Sequence, residues 1–109
     1  MAYNEALAER VRAHLGAADG LNERKMFGGI AFMLNGNVLA GVMNDDLIVR
    51  VDAAESEDAL AQPGARPFDY TGRPMKGWLF VGPAGCGSDA DLGGWIERAM
   101  RLVTTLPPK

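Results

Sequence analysis

Tyr3, Leu7, Val11 and Leu15 recur at every fourth position, with Glu5, Glu9, Arg10 and Arg12 set between them. That spacing predicts a helix with one buried stripe, and Gly16 is placed to stop it. From Met26 to Val51 the period shortens. "MFGGIAFML", "VLAGVM" and "LIVRV" are aliphatic and aromatic runs separated by "NGN" and "NDD", which predicts a three-stranded antiparallel meander. Asn35-Gly36 is a strong hairpin signal, because a type I′ turn needs positive φ at both central positions. Asn44-Asp45-Asp46 supplies the second turn.

Asp52 then reads as an N-cap, and "AAESEDALAQ" as a short acidic helix ended by Pro63-Gly64. Pro67, Thr71-Gly72 and Pro74 mark loop or edge structure ahead of a last strand, "GWLFV". A loop, "GPAGCGS", leads into a final helix running through Leu102, with Ser88 and Asp91 in a capping arrangement. Leu92, Trp95, Ile96, Ala99 and Leu102 form its buried stripe.

Gly28 and Gly29 interrupt the first apolar run. Strand alternation puts Met26, Gly28, Ile30, Phe32 and Leu34 on one face and Phe27, Gly29, Ala31 and Met33 on the other, so both faces are apolar. Glycine in such a strand marks a bulge or a close approach by a helix or another chain. A phosphate cradle instead needs its glycines in a loop entering a helix N-terminus. Met26, Phe27, Gly28 and Gly29 are therefore read as a structural motif.

Composition narrows the function classes. A chain of 109 residues suits one domain, residues 1–109. Its formal charge of −3 comes from interspersed acids and bases, which argues against a whole-surface nucleic-acid footprint while leaving room for a local basic patch. Cys86 is the single cysteine and His14 the single histidine, so neither a disulfide scaffold nor a zinc site is expected, nor any other cofactor. No run approaches transmembrane length, and the charged N-terminus has no apolar signal region; a cytoplasmic protein away from membranes is the expectation.

The candidate chemistry is thin. "GPAGCGSDAD" runs from a strand into a helix, but it lacks the lysine of a P-loop, and Asp89 and Asp91 put negative charge where an anion would sit. Cys86 lies in that loop without a base, His14 suits a helix end, and Asp45 and Asp46 are explained by their turn. Arg24, Lys25, Arg66, Arg73 and Lys76 flank the strand ends. They are read either as ordinary partners of Asp69 and the acidic helix or as a docking patch for an acidic partner or a phosphate backbone.

"RKMFGGIAFMLNGNVLAGV", "PFDYTGRPMKGWLFV" and a C-terminal helix ending in "LPPK" together resemble the N-terminal domain of the TfoX (Sxy) family over nearly the whole chain. The resemblance implies an α+β fold, an antiparallel sheet flanked by N- and C-terminal helices, similar to that of small YgaC-like proteins. Full-length members are regulators of natural competence and transcription in bacteria, with no established catalytic residues. This sequence departs from them in having no second domain after Lys109, and a stand-alone single-domain member is the expectation. The function expected is a non-enzymatic interaction module with a protein partner. The alternative is a nucleic-acid or small anionic ligand binder using the basic residues. Apolar residues on both sheet faces need cover, which either a homodimer or the loops around Pro63 to Pro74 would supply.

Overall fold

The computed structural model describes residues 3–16, 20–26, 29–68, 72 and 77–107. The elements are helix α1 (Glu5–Leu15), strands β1 (Leu21–Met26), β2 (Gly29–Leu34), β3 (Asn37–Met43) and β4 (Asp46–Arg50), and helix α2 (Ser56–Leu60). Strands β5 (Ala65–Pro67) and β6 (Trp78–Val81), the single turn α3 (Pro83–Cys86) and helix α4 (Asp89–Val103) follow. The strands form one antiparallel sheet in the order β1-β2-β3-β4-β6-β5. Together with the terminal helices this is the expected α+β fold.

Several boundaries correct the sequence reading. The meander has four strands, because the run from Met26 to Leu34 is not continuous: β1 ends at Met26, β2 begins at Gly29, and these two residues pair. Phe27 and Gly28 lie outside the described residues. Strand β1 carries Asn22, Glu23, Arg24 and Lys25, an edge strand blunted by charge rather than marked by apolar alternation. The "GPAGCGS" loop contains α3, with Pro83 at its first turn, and Cys86 is buried at 2 % exposure rather than lying in an open loop. The acidic helix begins with a 3-10 turn, Ala53–Glu55. At the end of α4, Val103 is buried and Leu102 half-buried.

Other signals hold. Asn35 and Gly36 take φ of 53° and 85°, and of the pair Asn44-Asp45 it is Asn44 that has positive φ, at 54°. Gly16 closes α1 with φ 64°, its N–H donating to the Arg12 carbonyl. The Ser88 hydroxyl accepts from the Asp91 N–H at 3.1 Å. Asn4, not singled out from sequence, caps α1 by accepting from the Leu7 N–H and also donates to Asp45 at 3.2 Å, which ties the helix start to the β3–β4 turn.

Helices α1 and α4 lie on one sheet face and bury Leu7, Val11, Leu92, Trp95, Ile96 and Ala99 against Phe32, Leu47, Val49 and Leu79. A bulge serves this face. Phe32 pairs with Ala40 and Met33 with Val38, so Leu39 has no opposite partner, and both Leu39 and Ala40 are fully buried. One extra residue thus aims two consecutive side chains into the core. Glu23 opposite Phe32 accepts from Arg12 of α1 at 2.7 and 2.8 Å, pinning β1 to the helix layer.

The other face has its own cluster. Ile48, Phe80 and Phe68 are buried together, with Met43 and Trp78 packed against them, and Phe68 is 4.9 Å from Phe80, centroid to centroid. Phe68 follows β5, so the segment after Pro63 covers part of this face, as one of the two expected accounts has it. Gly29 and Gly41 are buried here. A methyl at Gly29 would be driven into the Val42 carbonyl oxygen, so what approaches this glycine closely is the neighbouring strand β3, not the helix or second chain expected from sequence.

Candidate functional site

Register decides what the outer face presents. Arg24, Ala31, Gly41, Ile48, Phe80 and Arg66 are successive partners across the sheet, from β1 at one edge to β5 at the other. Arg24 and Arg66 therefore stand about 24 Å apart, five strand spacings, and do not form one patch. Lys25 pairs with Ile30 and belongs to the helix-covered side. Arg73 and Lys76 lie outside the described residues. The five basic residues named from sequence thus separate into an arginine at each sheet edge, a lysine on the opposite face and two positions without a description.

Arg66 bonds Asp46 at 2.9 Å and stacks over Phe80 at 5.2 Å. This is a surface ion pair, but Asp46 of β4 is not among the partners named from sequence, which were Asp69 and the acidic helix; Asp69 lies outside the described residues. A further cation was missed. Arg50, the fourth residue of "LIVRV", pairs with Trp78 across β4 and β6, and its guanidinium lies 5.3 Å from that ring's centroid. The signal was available in the strand alternation: Leu47 and Val49 enter the core, so Ile48 and Arg50 must face the other way.

One row along from Arg24 and Arg66, the outward positions from β2 to β6 are Met33, its partner Val38, Arg50 and Trp78, all half-buried, with exposed Asn22 of β1 opposite Met33. This band crosses the middle of the sheet with apolar groups at both ends and one cation among them. Arg10, Arg12, Arg66, Arg98 and Arg101 each hold an ion pair. Among the described residues, Arg24 and Arg50 hold none.

The nucleophile and acid candidates are occupied elsewhere. The Cys86 Sγ lies 3.4 Å from the Gly82 carbonyl oxygen, and burial pushes its thiol pKa up, so the thiolate is disfavoured. His14 rests against α4, where a methyl at Gly93 would come within 3.0 Å of its Cε1. No group of three or more His, Cys, Asp or Glu among the described residues is placed to hold a metal ion. No described helix is long and apolar enough to cross a membrane.

A cleft of about 230 Å³ lies beside α4, lined by Pro63, Gly85, Asp91, Trp95 and Arg98 among others. Its tryptophan and arginine are already engaged. Trp95 donates its indole N–H to the Gly85 carbonyl at 3.0 Å, while Arg98 bonds Glu55 and Asp58 and stacks on Trp95 at 5.5 Å. The cleft is a seam between α4, α3 and the Pro63 turn, with its arginine paired in place.

In comparison with known proteins, the family model described as TfoX N-terminal domain matches residues 13–102. That span runs from the end of α1 nearly to the end of α4 and includes the whole sheet. No curated protein matches the chain.

Proposed function

The chain belongs to the TfoX N-terminal domain family, and from that premise we propose that it is a non-enzymatic interaction module that docks a protein partner on the outer face of its sheet. The family is known from competence and regulatory proteins, and a role in bacterial transcriptional control, exercised in the cytoplasm, is part of the proposal. The observation that carries it is the band of half-buried Met33, Val38 and Trp78 around Arg50. Helices α1 and α4 cover the opposite face. Apolar groups left half-wet beside a cation suit the contact surface of a binding module.

The test places a photo-crosslinking amino acid at Val38 of the full chain, expressed in the cells that make it, with Glu97 on the exposed side of α4 as the control position. A discrete protein adduct from the Val38 position, absent from Glu97, is expected. An adduct of twice the chain's own mass would replace this reading with a homodimer through the same face. Absence of any adduct specific to Val38 would remove the docking reading.

A further inference from the structure

We propose that Arg50 and Arg24 form a receptor for the carboxylates of an acidic protein segment, whose apolar side chains lie on Met33 and Val38 between them. The inference rests on the docking reading above and adds the chemistry of the partner.

Arg50 is the stronger half. Its guanidinium is stacked over Trp78 at 5.3 Å and has no ion-pair partner among the described residues. An arginine held on an indole face keeps its in-plane N–H groups turned outward, and the ring limits the rotamers it would lose on binding. That planar fork matches a carboxylate in two-point contact. Arg24 is exposed on the edge strand, likewise without an ion pair among the described residues. It stands three strands from Arg50 and one row along, which is about 16 Å in sheet geometry. An extended segment spans that distance in about five residues.

The charge layout selects the occupant. On the described outward strand positions the acid is Asp46, already bonded to Arg66 at 2.9 Å, whereas the helices carry Glu5, Glu9, Asp58, Asp89, Asp91 and Glu97. A second copy docking face to face about a two-fold would bring the two arginine sets together, a like-charge contact that costs rather than stabilises. A nucleic-acid strand draws its affinity from many phosphate contacts; two cations on a chain of net charge −3 supply few. A short acidic segment with apolar side chains matches both the two cations and the apolar band.

The experiment follows the indole N–H signals of the full chain by NMR. Trp95 is an internal control, because its indole is buried and bonded to Gly85, and an unmoved Trp95 signal in each variant reports an intact fold. The probe is an eight-residue capped peptide of Leu and Ser with Glu at its second and sixth positions, which an extended chain presents on one face. The comparators are the same peptide with Gln for Glu and an eight-nucleotide oligo(dT). A saturable shift of the Trp78 signal is expected with the Glu peptide, at least about tenfold weaker with the Gln peptide. Arg50→Gln should weaken binding by a similar factor and Arg24→Gln by less, and Arg50→Lys should fail to restore it. Equal binding of the Glu and Gln peptides, binding of oligo(dT) alone, or no Trp78 shift at millimolar peptide would each overturn the proposal. Any of these, alongside a Val38 adduct, would leave the docking module standing with a partner of other chemistry; without the adduct, both readings fall.

Discussion

Gly29 shows how a single missing side chain is fixed by what stands next to it. The residue opens β2 and is buried, and a Cβ there would collide with the backbone of β3 at Val42, an atom that no rotamer change can move. Gly29→Val should destabilise the fold by about 1–3 kcal/mol through overpacking. Urea unfolding measures it, and a variant with wild-type stability but altered docking would return the glycine to a functional role. The sequence set Gly29 inside one continuous strand, whereas it opens β2 and is approached by the backbone of β3. Arg50 was not legible in the sequence, since a lone arginine in "LIVRV" looks like a strand boundary until the register sets it opposite Trp78. The burial of Cys86 was equally hidden. Its neighbours "GPAG" read as a loop, whereas Pro83 in the first turn starts α3 and turns the thiol inward.

At the scale of elements, helices and apolar strands were read from their periods, and the strands that escaped lack one. In β1 the residues facing the helices include Glu23 and Lys25, so alternation carries no hydrophobic signal, and β5 has only the three residues Ala65–Pro67. What holds β1 in place is partly electrostatic. Arg12 hydrogen-bonds the Glu23 carboxylate and holds its pKa below the ordinary 4.5. A carboxylate depressed in the folded state contributes stability above its unfolded pKa and loses it as pH falls through the folded one. Glu23→Gln should therefore lower stability at pH 7 by about 0.5 kcal/mol, the size of a solvent-screened pair. That gap should close below pH 4.5. Melts of both proteins from pH 7 to pH 3 check it, and a gap that persists in acid would assign the effect to packing instead.

For the whole molecule, the sheet grades from strands paired on both sides in the middle to strands paired on one side at the margins. Strands β3 and β4 have neighbours on both sides and α4 across one face, while β1 and β5 each pair on one side only. Amide exchange should be slowest in Leu39–Val42 and Leu47–Val49 and faster by orders of magnitude in β1 and β5, because margin strands open without global unfolding. Amides of β1 as slow as those of β3 would contradict this. The layout of the covers was the least legible feature. Sequence alone left the second face to a homodimer or to the loops after Pro63, and only the placement of Phe68 on Ile48 and Phe80 shows that the chain supplies part of that cover itself.

The interruption in strand order, with β6 rather than β5 beside β4, also sets a timetable for a chain leaving the ribosome. The four strands of the meander can zip in the order they emerge, but the far side of β4 stays open until Trp78–Val81 has been made. Translation adds about 5–20 residues per second, so the Leu47–Val49 edge waits roughly two to six seconds for its neighbour. The α4 residues that seal the core come later still. Throughout that interval a nascent chain offers an unpaired apolar strand, the form in which two chains on one messenger are most prone to join each other.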